Sequence, residues 1–137
     1  MVWIDKGIVM VEKLLELHKN SYAPISHFPV SACVVTNDGN KFYGVNVEDA
    51  STRAGTCAER NAIFNAITNG YKKGDFKEVH VMISSGEIGT PCFVCRQMIS
   101  ELFDLDSIIY CYSTKGECKK YTVKELCPYP FGEDDLK

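Results

Sequence analysis

The sequence has no excess of positive charge and few arginines, and each shortage excludes something. Its 15 Lys and Arg stand against 18 Asp and Glu, a net charge of −3. Such a chain does not draw its affinity from neutralising many phosphates, so no nucleic-acid partner is expected. It also lacks any run of about 18 uninterrupted apolar residues, which removes a membrane span. Asp5, Lys6, Glu12 and Lys13 break up the apolar residues at the N-terminus, so no secretory leader is read there. No internal repeat, low-complexity tract or linker occurs, and 137 residues leave no comfortable room for two cores. The expectation is one domain over residues 1–137. What is present is ordinary globular composition, 45% apolar and 24% charged. The seven cysteines are odd in number, which excludes a fully paired disulfide framework. Without an export signal they read as reduced thiols or metal ligands in a cytoplasmic protein.

Periodicity supplies the elements. Met10, Leu14 and Leu17, with Val11 and Leu15 beside them, predict a helix over Ile8 to His18. Val30 to Thr36 and Lys41 to Glu48 flank an Asn37-Asp38-Gly39-Asn40 turn and predict a hairpin. Thr56 to Thr68 reads as a helix capped by Thr56, with Ala62, Ile63, Ala66 and Ile67 as its buried stripe. Val79 to Ser84 is a strand. Thr90 and Pro91 form a cap and first helical residue for a helix reaching about Phe103. Ile108 to Ser113 and Lys119 to Thr122 are strands, and Val123 to Leu126 is a short helix. Two strand–helix–strand units imply parallel neighbours covered by helices. The last two strands are joined too closely to be parallel. The expected fold is an α/β/α sandwich on a five-strand mixed sheet whose last strand pair is antiparallel.

Chemistry gathers at two helix starts, Thr56-Cys57-Ala58-Glu59-Arg60 and Pro91-Cys92-Phe93-Val94-Cys95-Arg96. Cys-x-x-Cys at a helix start places two sulfurs on one face, where unpaired N–H groups and the helix dipole favour thiolate. Cys57 adds a third. Both helices follow parallel strands, so both N-termini meet at the carboxyl edge of the sheet, where open α/β folds place ligands. Three thiolates converging there suit Zn²⁺ and leave its fourth position for water, the mark of a catalytic site. A redox pair is the bland alternative for Cys-x-x-Cys. Glu59 likewise completes a formal capping box with Thr56 and alone reads as a cap. The combination Cys-x-Glu with a later Pro-Cys-x-x-Cys changes this, because zinc deaminases of nucleobases carry that arrangement. Glu59 then becomes a proton carrier that does not ligate the metal.

Only Arg53, Arg60 and Arg96 oppose 12 lysines, and two of the three directly follow the motifs. A guanidinium donating to the sulfurs would offset the negative charge of three thiolates. Two ordinary surface arginines are the alternative.

From Tyr22 to Leu136 the chain resembles the cytidine deaminases of the short, homotetrameric kind. The resemblance is carried by Tyr-Ala-Pro-Ile-Ser-His-Phe-Pro-Val (22–30), Gly-Val-Asn-Val-Glu-Asp-Ala-Ser (44–51), the two cysteine motifs with Gln97, Thr-Val-Lys-Glu-Leu (122–126) and Phe-Gly-Glu-Asp-Asp-Leu (131–136). It implies one zinc per chain held by Cys57, Cys92 and Cys95, with Glu59 as the proton shuttle and Arg60 bonded to the thiolates. It further implies that Asn46 and Glu48 bind the ribose hydroxyls, that Phe28 lies against the pyrimidine, and that Ala58 is among the substrate-binding residues. Phe131 would arrive from a neighbouring subunit. The implied activity is zinc-dependent hydrolysis of free cytidine and deoxycytidine to the uracil nucleosides and ammonia, a step of pyrimidine salvage.

The residues support the sugar assignment separately. In a strand Asn46 and Glu48 share a face, while Val45 and Val47 point to the core. Without the motif, both polar residues read as a solvated strand end and Phe28 as core. Cys33 reads as buried filler; Cys111, Cys118, Cys127 and the three histidines receive no role. Two departures bear on substrate choice. The family commonly has glycine where Phe93 stands, so its ring either crowds the pocket or points into the core. Thr52 occupies a place where the family often has tyrosine. Both leave open a cytosine nucleoside antibiotic such as blasticidin S. A nucleic-acid deaminase is disfavoured by the acidic balance and by the lack of a helix between the last two strands. A structural zinc or redox module leaves Glu59, Asn46 and Glu48 unexplained.

Overall fold

The computed structural model describes residues 2–137, with side chains from residue 7 onward. Strands β1 (Val30–Thr36), β2 (Lys41–Val45), β3 (Phe76–Ile83), β4 (Phe103–Tyr112) and β5 (Cys118–Thr122) form one sheet in the order β2-β1-β3-β4-β5. Helices α2 (Ala58–Thr68) and α3 (Phe93–Leu102) link β2 to β3 and β3 to β4, α1 (Val2–Leu17) precedes the sheet, and α4 (Val123–Leu126) follows it. The expected α/β sandwich is present. Pairs β3/β4 are parallel and β4/β5 antiparallel.

Alternation along the strands builds the two cores. Ala32 and Val34 of β1, Val79 and Val81 of β3, and Ile109 and Cys111 of β4 face α2 and α3. Their neighbours Cys33, Val35, Met82, Tyr110 and Tyr112 face Met10 and Leu14 of α1. Successive strand side chains point to opposite faces, so strands covered on both faces read as continuous apolar runs. No helix among the described residues is long and apolar enough to cross a membrane.

Several expectations are corrected. Strands β2 and β3 are not neighbours: β1 lies between them, antiparallel to both. Hairpin pairing to β2 uses one edge of β1, and the α2 crossover carries the chain past it to the other. β2 ends at Val45, so Asn46 and Glu48 are not strand residues; Val47 forms isolated bridges to Tyr22 and Thr56 and is 43% exposed instead of core. β3 and β4 begin earlier than the apolar pattern shows. Phe76 and Phe103 pair, with ring centroids 4.9 Å apart, ahead of an irregularity that leaves Asp104 and Asp106 outside. Ile67 is exposed, not part of the buried stripe of α2.

Candidate metal and nucleoside site

Both motif helices begin on cysteine. Cys57 is the N-cap of α2 and Cys92 that of α3, each with extended backbone and no side-chain cap bond. The expected caps Thr56 and Thr90, Pro91 as first helical residue, and the Thr56–Glu59 capping box are therefore absent. Thr56 is engaged elsewhere: its N–H donates to Val47 O at 2.8 Å and its carbonyl accepts from Val47 N–H at 3.0 Å. That bridge holds it extended, and the helix starts after the next residue.

The sulfurs of Cys57, Cys92 and Cys95 lie within 4.8 Å of one another. Cys57 and Cys92 are 3.7 Å apart, and Cys92 and Cys95 3.5 Å. A tetrahedral zinc site with Zn–S of about 2.3 Å has S–S edges of roughly 3.8 Å, so the three residues fit zinc with little adjustment. Arg60 Nη2 donates to Cys57 Sγ at 3.7 Å. The Cys95 thiol, with Arg60 and Cys92, pulls the Cys57 thiol down to about 5, while donation to Cys57 and burial raise Cys95. The cluster thus holds a thiolate readily, the form that binds metal.

Glu59 is only 4% exposed. Burial, with the Cys57 charge adding, pushes its carboxyl up to about 7 against the opposing pull of its backbone N–H, Arg60 and Cys95. Freed from capping, it lines a cavity of about 460 Å³ together with Cys57, Ala58, Cys92, Phe28, Asn46 and Glu48. That volume falls in the range of small-molecule sites. Phe28 is 38% exposed against this cavity rather than in the core.

Two further lining side chains, Asn46 and Glu48, organise their neighbours through hydrogen bonds. Asn46 Oδ1 accepts from Ser21 Oγ at 2.5 Å and Val30 N–H at 2.9 Å, while its Nδ2 donates to Phe28 O at 2.8 Å. Glu48 accepts from the N–H groups of Ile25 and Ser26 at 3.0 Å each and from Ser26 Oγ at 2.5 Å. The Ser26 hydroxyl and these amides hold the Glu48 carboxyl below its usual range. Sequence reasoning assigned no role to Ser21, which lies outside every motif, or to Ser26, which lies within the 22–30 segment that carries the resemblance. Thr52 also lines the cavity, with φ of 59°.

Some sequence expectations are redirected. Arg96 donates to no sulfur; its bonds go to Pro91 O, Leu126 O and Thr90 Oγ1. Phe93 neither crowds the cavity nor enters the core. It is 76% exposed with the Arg96 guanidinium 4.3 Å over its ring. Phe131 does not line this cavity in its own chain; it is 54% exposed, its carbonyl bonded to Gln97 Nε2 at 2.6 Å.

Residues 6–112 match the cytidine and deoxycytidylate deaminase zinc-binding region. The chain belongs to that family. Its relatives include cytidine deaminase of Sporosarcina psychrophila, 34% identical over 130 residues, covering 92% of this chain and 94% of that protein. Cytidine deaminase of Halalkalibacterium halodurans is 31% identical over 128 residues, covering 93% and 96%. The crystal structure of cytidine deaminase from Burkholderia pseudomallei superposes with a TM-score of 0.84 at 35% identity, covering 90% of this chain and 97% of that one. Zinc is the cofactor of this family member, and the three-cysteine cluster is where the described residues can hold it.

Proposed function

We propose that the chain hydrolyses free cytidine and deoxycytidine to uridine and deoxyuridine with release of ammonia. The observation that carries this reading is Glu59, buried in the wall of the same cavity as the sulfurs of Cys57 and Cys92. The relatives bear the name of this activity, not of an antibiotic deaminase. When held by Cys57, Cys92 and Cys95, zinc acidifies a water and so supplies a nucleophile at neutral pH. Glu59 takes the first proton that the water loses and delivers it to ring N3, which makes C4 electrophilic. As C4 gains its oxygen, the second proton passes through the same carboxyl to the amino nitrogen, which leaves as ammonia. Arg60 offsets thiolate charge, Ala58 bounds the base pocket, and Phe28 packs against the ring.

The rest of the lining supports a nucleoside substrate. Among the described residues, the cavity is lined by Glu48, Asp49 and Glu59 but by no Lys or Arg, an environment that repels a 5′-phosphate. After their internal bonds, Asn46 keeps one N–H and Glu48 Oε2 one acceptor position. One donor and one acceptor serve a single sugar hydroxyl, and both ribose and deoxyribose have one at the 3′ carbon. Phe131, absent from its own cavity, completes a neighbour's in a homotetramer. With its thiols reduced, the protein works in the cytoplasm, in pyrimidine salvage.

The test is ammonia release from cytidine, deoxycytidine, deoxycytidylate and blasticidin S, with zinc measured in the same samples. Expected are turnover of both nucleosides, little of the others, loss on chelation and recovery with zinc. Zinc-replete protein that releases no ammonia from either nucleoside overturns the reading.

A further inference from the structure

Arg96 is half-buried at the start of α3, and its guanidinium uses all three nitrogens on different acceptors. Nε donates to Pro91 O at 2.7 Å and Nη2 to Thr90 Oγ1 at 2.7 Å, both in the loop that leads into Cys92. Nη1 donates to Leu126 O at 3.0 Å, the end of α4. The same junction is held twice more. Cys127 Sγ donates to the Arg96 carbonyl at 3.5 Å, and Gln97 Nε2 donates to Phe131 O. The Phe93 ring lies under the guanidinium, its centroid 4.3 Å from the central carbon, a cation–π contact that adds to these bonds.

We propose that Arg96 is a positioning residue that clasps the Thr90–Cys92 loop to the 126–131 segment, so that the metal-holding cysteines and Phe131 are fixed as one unit. The fork geometry matters. Three acceptors in two segments far apart in sequence are met by one planar group with diverging donors, whereas a lysine offers one nitrogen on a flexible stem. Phe93 follows from the same arrangement: an exposed ring beside the metal loop is explained by the face it gives the guanidinium. The link to Phe131 rests on the homotetrameric deaminase reading; the link to the metal loop does not.

The test compares Arg96→Lys and Arg96→Met with the parent as zinc-loaded protein. Zinc release into a chelator should accelerate roughly ten- to a hundredfold in Arg96→Met, as for loss of groups that orient metal ligands, and less in Arg96→Lys. KM for cytidine should rise with kcat little changed, because Arg96 does not touch Glu59. In a Phe131→Ala background the KM effect of Arg96→Met should vanish while the faster zinc release persists. If Arg96→Met does not fold, Arg96→Lys carries both readouts. Folded Arg96→Lys with zinc release and KM within about twofold of the parent overturns the clasp. KM effects that simply add in the Phe131→Ala background overturn its link to Phe131. A parent inactive on cytidine sinks the functional reading alone, since zinc release is measured without substrate.

Discussion

Arg60 Nη2 lies 3.7 Å from Cys57 Sγ, so the guanidinium that follows the first motif rests on the sulfur that opens α2. A positive group in that place can offset thiolate charge without ligating metal. Arg60→Gln should lower zinc affinity or cytidine turnover by about one to two orders of magnitude, the usual cost of losing a group that supports a metal ligand. Parallel zinc titration and steady-state assays check this. An unchanged Arg60→Gln protein would reduce Arg60 to a bystander.

Glu59 is buried and makes no cap bond to Thr56, because α2 starts from Cys57. Glu59→Gln preserves its size and removes only proton transfer. The variant should fold, melt near the parent temperature and keep its zinc. Turnover of cytidine should fall by roughly a thousandfold or more, at the strong end for a general acid–base group that serves several steps. A severalfold loss with zinc retained would remove Glu59 from the mechanism.

Phe131 is held through its carbonyl, while the residue is more than half exposed and lies outside its own chain's cavity. Phe131→Ala should raise KM for cytidine and leave zinc content unchanged. Sedimentation shows whether the assembly persists. A fully active monomer is the outcome that defeats the shared-site reading.

Gly44 sets how closely β2 approaches α2. A Cβ there would lie 2.4 Å from Ala58 O and 2.4 Å from Ala62 N, both backbone atoms beside the first motif. The backbone must shift to admit it, so Gly44→Ala should cost about 1–3 kcal/mol or more. Thermal unfolding should record a fall of several degrees, and cytidine turnover should drop as Glu59 moves. A melting temperature equal to the parent's would show that α2 yields freely.

Much of the candidate site was legible along the chain. Cys57, Cys92, Cys95 and Glu59 could be read because their chemistry depends on residue type and short spacing at helix starts, and those helices do exist. The succession of helices and strands along the chain was legible for the same reason, since alternation and helical periodicity are local. Helix starts were harder. Thr56 has the residue type of a cap, but its backbone pairs with Val47, nine residues earlier. Asn46 and Glu48 reach the cavity from beyond the end of β2, held by loop residues that have no periodicity to announce the contact.

The sequence by itself determined the candidate ligand set, the candidate acid–base group and the alternation that buries the strands on both faces. Tertiary structure alone decided that β1 separates β2 from β3, that Arg96 reaches Leu126 instead of a sulfur, and that Phe93 lies outside. Residue type and periodicity act over one or two turns of chain. Strand order and the destination of a long side chain depend on contacts between segments tens of residues apart, whose closure local spacing does not encode.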